Sequence, residues 1–152
     1  MAGPGGIWSQ TFRAGDRKGL AIHCALAHSG AWKEMAAAMD EPLSLTAFDM
    51  PGHGRSAPWD GQGDFIANVA DAAERFVDGP VDLLGHSSGA VAALNLALRM
   101  PEQIRTLTLI EPVLFAAAHG FPEWDEHVAE MQPYLRALTA GDRLAATRAF
   151  TD

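Results

Sequence analysis

The sequence predicts an α/β fold in which helices cover both faces of a mostly parallel sheet, that is, a doubly wound sheet. Segments with strand-like and helix-like hydrophobic patterns alternate along the chain, an order typical of parallel strands joined by crossover helices. The chain has 152 residues, a length that suits one domain. Its 48% hydrophobic and 20% charged residues are typical of a packed globular protein.

The first half of the chain alternates short apolar runs with polar or glycine-rich connections. Apolar residues recur at helical spacing over 31–39, and Pro51 with the glycines that follow it forbids regular structure after Phe48. These patterns predict, in chain order, a hairpin over 6–19, a strand over 20–23, a helix over 31–39 and a strand over 43–48.

The second half continues the alternation and then becomes helical. Apolar residues from Phe65 to Val77 form the stripe of a helix that packs on a sheet, and Gly79 with Pro80 ends it. These patterns predict, in chain order, a helix over 65–77, a strand over 81–84, a deeply buried helix over 90–100, a strand over 106–110, and two helices over 123–138 and from 142.

Charge and cysteine content exclude several classes of protein. The 11 Lys+Arg against 19 Asp+Glu give a formal charge of −8, which argues against binding to a nucleic-acid backbone. A single cysteine, Cys24, excludes a disulfide within the chain and a multi-cysteine metal site. No apolar stretch approaches the roughly 18 residues of a membrane helix, and no export signal is visible. We therefore predict a cytoplasmic protein without a membrane span.

The segment Gly85–Gly89 fits Gly-x-Ser-x-Gly between an apolar strand and an apolar helix, as a nucleophile elbow requires. A sharp strand-to-helix turn forces its central residue, Ser87, into strained backbone angles, and glycines on either side avoid collisions. At the helix N-terminus, the backbone N–H of Ser88 would face a developing oxyanion. A purely structural Gly-Ser turn is the alternative.

Four stretches resemble the N-terminal part of an esterase-like α/β-hydrolase-fold enzyme, in the family's order and spacing. They are 22–25 with Trp32, 49–56, 85–89 and 107–112. The resemblance implies Ser87 as nucleophile and Ser88 as one oxyanion donor. It also implies a sheet of the α/β-hydrolase type that is incomplete on its C-terminal side. Residues 1–112 would form the core through the family's sixth strand, and 113–152 the beginning of a helical cap or lid.

The second oxyanion donor of the family follows a His-Gly pair, and two registers compete for it. Placing the pair at His23-Cys24 makes Ala25 the donor and leaves Trp32 nine residues after the histidine, as is usual in the family. Placing it at His28-Ser29 shortens the loop to three residues. We prefer Ala25, although either register replaces the family's glycine.

The remaining catalytic groups are incomplete in this sequence. None of the six histidines occupies the place that the resemblance implies for the general base, a loop after the last strand. Glu111 is the candidate acid because it ends the strand over 106–110, and a strand-capping role is the alternative. His28, Trp32 and His86 are candidate substrate contacts, and no metal or organic cofactor is implied.

The leading hypothesis is a serine hydrolase that cleaves an ester or related acyl bond through an acyl-enzyme. Its partner would be a small apolar ester-like substrate. Because the catalytic histidine is missing, we expect this chain to be weak or inactive alone. Either it is the N-terminal portion of a protein of family length, or a second chain or self-association completes the sheet. The alternatives are a non-catalytic protein that binds or senses a small ligand on the same fold, and a perhydrolase or lyase.

Overall fold

The fold is built on a five-stranded, mostly parallel sheet. The computed structural model describes residues 6–40 and 43–151. In chain order the strands are β1 (Ser9–Phe12), β2 (Arg17–Ile22), β3 (Leu43–Phe48), β4 (Val81–His86) and β5 (Ile104–Ile110). They lie across the sheet in the order β1-β3-β2-β4-β5. Only β1 runs antiparallel to its neighbour, which confirms the predicted α/β class.

Among the described residues, five α-helices accompany the sheet, each in a segment where the sequence predicts one. They are α1 (Lys33–Ala38), α2 (Phe65–Glu74), α3 (Ser88–Arg99), α4 (Pro122–Thr139) and α5 (Arg143–Thr151). Asp64 begins α2 by accepting a hydrogen bond from the N–H of Ala67 at 2.7 Å, as a helix N-cap does. Pro101 follows α3 and prevents its continuation.

Two apolar clusters cover the two faces of the sheet. Leu20 and Ile22 of β2 pack with α2 and α3, whereas Ala21 between them packs with Trp32 and α1. Successive strand residues point to opposite faces, so helices lie on both sides of β2. The doubly wound arrangement predicted from the alternating pattern is therefore confirmed.

The predicted N-terminal hairpin over 6–19 is wrong. β1 pairs with β3, with Ser9 opposite Phe48, and does not pair with β2. The reason lies in the apolar end of β2, whose last four residues are buried. This strand takes a central place between β3 and β4, so both of its edges are occupied and β1 joins the outer edge of β3.

One further expectation needs correction. The helix predicted over 90–100 is buried on one side only: Leu98 of α3 is 75% exposed, and Arg99 binds Asp71 and Glu74 at 2.8 and 2.9 Å. An outer-layer helix has one face on the sheet, and apolar composition alone does not reveal its neighbours. The strand that precedes Glu111 is the fifth among the described residues, and its place as the family's sixth strand stays a prediction.

The chain divides into two compact units after Val113. The second unit contains α4 and α5, and its ring contacts join Phe115 to His127 at 3.9 Å and Tyr134 to Phe150 at 5.7 Å between centroids. Its role as a cap stays a prediction. Across the described residues, no helix combines the length and apolar character that crossing a bilayer would demand.

Candidate active site

Ser87 lies in a strained bend between β4 and α3. Its backbone has φ 55° and ψ −119°, a region that residues other than glycine rarely occupy. Two hydrogen bonds hold the bend: the N–H of Ser87 donates to the carbonyl of Ile110 at 2.9 Å, and the N–H of Ala90 donates to the carbonyl of Ser87 at 3.0 Å. The side chain at this position is half-buried. The geometry is that of the predicted turn, and the catalytic role of Ser87 stays a prediction.

The two glycines of the motif are required by close backbone approaches. A Cβ on Gly85 would lie 2.5 Å from the Cα of Ala90. On Gly89 it would lie 2.3 Å from the carbonyl oxygen of His23 and 2.4 Å from that of Ile22. Real Cβ atoms do not approach backbone atoms so closely, so only glycine lets α3 begin against the end of β2.

The loop that follows β2 places Ala25 beside Ser88. The N–H of Ala25 donates to Ser88 Oγ at 3.0 Å, a contact that the sequence did not predict. In the competing register the N–H of Gly30 is directed elsewhere, to Nδ1 of His28 at 3.1 Å. Both N–H groups are occupied, and that of Ala25 is the one directed at Ser88. The role of Ala25 as an oxyanion donor stays a prediction.

His23 is a buried support of this loop. The N–H of Met50 donates to its Nε2 at 3.0 Å, so the proton lies on Nδ1, which donates to the carbonyl of Cys24 at 2.7 Å. Burial is the main cause that lowers the pKa of His23 below its ordinary value, against the opposing effect of the bond to Cys24. A neutral ring with both nitrogens engaged is not available as a general base.

Asp49 joins the loop that follows β2 to the loop that follows β3, a role that was not predicted from the sequence. Its carboxylate accepts the N–H groups of Ser29 at 2.7 Å and Arg55 at 2.8 Å, and only 2% of the residue is exposed. Burial by itself would raise the pKa of Asp49, but the bonds from Arg55 and Ser29 outweigh it and hold the pKa below its usual range. Its place in the 49–56 motif was the available signal.

The substitution Asp49→Asn is expected to destabilise the fold by about 2 kcal/mol, because a neutral amide with one acceptor oxygen replaces the charged acceptor of one buried and one partly buried N–H group. The lowered pKa means that the charge of Asp49 stabilises the fold above the ordinary pKa of 3.8. That contribution disappears as the pH falls through the pKa of the folded state. Urea unfolding of the unaltered chain and of Asp49→Asn should thus show a difference in the free energy of unfolding that is constant above about pH 5. Below about pH 4 this difference should shrink.

Asp60→Asn is the matched control, since Asp60 accepts one N–H, from Gln62, in an exposed loop. It is expected to change the free energy of unfolding by about 0.5 kcal/mol or less. An Asp49→Asn variant as stable as this control at neutral pH would contradict the assigned role of Asp49.

An apolar cavity of about 180 Å³ brings together two of the three candidate substrate contacts. Trp32 and His86 both line it, together with Cys24. His28 does not: it is exposed and lines a second cavity with Arg55. The structure therefore separates His28 from the other two candidates.

The candidate acid Glu111 is paired with the residue that precedes Ser87. Its carboxylate lies 3.6 Å from Nε2 of His86, and its backbone is strained, with φ 46°. Within residues 6–40 and 43–151, Ser87 Oγ makes no hydrogen bond to a histidine. Over the same ranges no group of His, Cys, Asp and Glu has the arrangement of a metal site.

Comparison with known proteins agrees with this geometry. The model of the alpha/beta hydrolase family matches residues 20–152. The chain belongs to the alpha/beta hydrolase family. Strands β3, β4 and β5, the turn at Ser87 and the glycines around that turn all lie within the matched region.

Individual relatives in this family are esterase-like. The chain is 36% identical over 104 residues to the lipase LipV of Mycobacterium tuberculosis, covering 66% of this chain and 39% of that protein. It is 41% identical over 80 residues to a pimeloyl-[acyl-carrier protein] methyl ester esterase of Neisseria meningitidis, covering 52% of this chain and 30% of that protein. The thioesterase domain from the curacin biosynthetic pathway matches with TM-score 0.63 and 28% identity over 70% of this chain and 42% of that one. The chain thus spans less than half the length of these relatives.

Proposed function

We propose that this chain carries the nucleophile of a serine hydrolase that cleaves an ester or related acyl bond through an acyl-enzyme at Ser87. The observation that carries the proposal is the strained backbone of Ser87 at the junction of β4 and α3. Strain of this kind persists where the surrounding structure fixes it, and it clusters at functional sites. Named relatives that are a lipase and a methyl ester esterase support the same reaction class.

The chemistry follows from the groups around the bend. Ser87 Oγ attacks the carbonyl carbon and loses its proton to a base, and the carbonyl oxygen becomes an oxyanion. The N–H of Ser88 at the start of α3 and that of Ala25 are the donors for this oxyanion. Collapse of the tetrahedral species expels the alcohol, which takes a proton, and water then releases the acid. Ala25 becomes free for this task when Ser88 Oγ, which now accepts its N–H, rotates away.

None of the described histidines is placed to act as the general base for Ser87. His23 uses both ring nitrogens within the loop, and His86 lies against Glu111. Loss of a general base from a triad costs on the order of 10⁶ in rate. We therefore propose slow acylation by this chain alone, which a soluble base accelerates.

A fluorophosphonate probe with and without added imidazole tests this proposal. Trypsin cleaves after Arg75 and Arg99, so a single peptide, 76–99, contains both Ser87 and Ser88. Fragmentation of this peptide in the mass spectrometer locates the adduct. We expect the adduct on Ser87, and an initial labelling rate that rises with imidazole concentration.

If the folded chain gives no adduct on Ser87 at any imidazole concentration, the proposal that Ser87 is the nucleophile is overturned. That result would favour the second candidate function, a protein that binds a small ligand without cleaving it. The absence of a hydrogen bond between Ser87 Oγ and the described histidines is the observation that favours this candidate.

A further inference from the structure

The two N–H groups proposed as oxyanion donors differ in their occupancy. That of Ser88, at the first position of α3, has no acceptor within residues 6–40 and 43–151, as is usual in the first turn of a helix. That of Ala25 donates to Oγ of Ser88 at 3.0 Å. One donor is therefore open to a ligand, whereas a hydroxyl of the chain itself occupies the other.

The backbone on both sides of this hydrogen bond is held in place. Gly89, which follows Ser88, lies so close to the end of β2 that an added Cβ would be 2.3 Å from the carbonyl oxygen of His23. His23, two residues before Ala25, is anchored by the N–H of Met50, which donates to its Nε2 at 3.0 Å. A serine side chain changes rotamer without moving its backbone. Rotation of the Ser88 side chain is therefore enough to free the N–H of Ala25.

We propose that the hydroxyl of Ser88 is a built-in competitor for the oxyanion site. It holds the N–H of Ala25 in the resting chain and must release it before an oxygen of the substrate binds there. The backbone N–H and the side chain of Ser88 thus have opposite effects: the first stabilises the oxyanion, and the second delays access to the other donor. The effect on acylation rests on the proposed function.

The size of the effect follows from the net strength of one hydrogen bond. Without the Ser88 hydroxyl, water would solvate the N–H of Ala25, and a substrate oxygen would displace that water instead of the hydroxyl. A neutral hydrogen bond within a protein is stronger than its replacement by water by a margin that corresponds to about 2- to 10-fold in an equilibrium constant. Any acceptor oxygen that binds at Ala25 meets the same competition, so it is measurable with and without covalent chemistry.

The covalent test compares initial fluorophosphonate labelling rates of Ser87 at one imidazole concentration, in chains shown to be folded by circular dichroism. Ser88→Ala keeps the backbone N–H and removes the hydroxyl, so we expect it to label about 2- to 10-fold faster than the unaltered chain. Ser88→Thr keeps a hydroxyl and, like the matched control Ser44→Ala, should label as the unaltered chain does. Equal or slower labelling of Ser88→Ala, or equal acceleration by Ser88→Thr, would overturn the proposed competition.

The non-covalent test uses ¹⁵N-labelled Ser87→Ala chains, titrated with butyrate and followed at the backbone amide signal of Ala25 by nuclear magnetic resonance. Adding Ser88→Ala should tighten butyrate binding by about 2- to 10-fold, and adding Ser44→Ala should leave it unchanged. No response of the Ala25 amide, or equal affinity with and without the Ser88 hydroxyl, would overturn the competition. Tighter binding together with no adduct on Ser87 in the unaltered chain would reject the proposed hydrolase and retain the competition at Ala25.

Discussion

Replacing Ser87 with alanine is expected to remove the fluorophosphonate adduct from peptide 76–99 completely, with or without imidazole. The variant lacks the only atom that the proposal uses as a nucleophile. In enzymes with a complete triad the same change costs on the order of 10⁶ in kcat. The measurement is the fraction of labelled peptide by intact and fragment mass spectrometry.

The fold of this variant should be unaffected, which separates chemistry from stability. The backbone strain at φ 55° is similar for alanine and serine, because both residues have a Cβ. We therefore expect the free energy of unfolding to change by about 0.5 kcal/mol or less. Ser44→Ala in β3 is the matched control and should label as the unaltered chain does. An adduct that remains in Ser87→Ala at the original rate would show that another residue reacts with the probe.

The strands and the bend were predictable because their causes are local in sequence. The apolar run 43–48 is ended by Pro51 and nearby glycines, and β3 occupies the same residues. The bend at Ser87 follows from the two glycines that flank it, since each close contact forbids a side chain at that position. Local chemistry of this kind needs no knowledge of which strands become neighbours.

The features that the sequence did not reveal depend on contacts between distant residues. β1 joins β3 because both edges of β2 are occupied by β3 and β4. The residues of the predicted hairpin over 6–19 contain no information about this strand order. The bond from Ala25 to Ser88 Oγ joins residues 63 positions apart. Asp49 is identified as a support of two loops only when Ser29 and Arg55 are seen to donate to it. Such pairings arise from tertiary packing, which residue spacing does not encode.

The second large effect is expected for Gly89→Ala, which should destabilise the fold by about 3 kcal/mol or more, the upper range for overpacking in a dense region. The added methyl group would lie 2.3 Å from the carbonyl oxygen of His23 and 2.4 Å from that of Ile22. Both are backbone atoms in a strand end fixed by its neighbours, so α3 must move away from β2. Urea unfolding followed by circular dichroism measures the loss.

Gly61→Ala separates this steric effect from the conformational effect of losing a glycine. Gly61 has φ +77° with nothing within 4 Å of an added Cβ, so its replacement should cost about 1 to 2 kcal/mol, the backbone penalty alone. Gly89 does not have a positive φ. The larger destabilisation expected for Gly89→Ala would therefore come from contact of the added methyl group with the end of β2. Movement of α3 also carries Ser88 away from Ala25, so imidazole-dependent labelling of Ser87 should fall in the folded fraction of Gly89→Ala and persist in Gly61→Ala. Equal stabilities of the two variants would mean that the start of α3 can shift freely, and the bend at Ser87 would then lack the rigid support that the proposed chemistry requires.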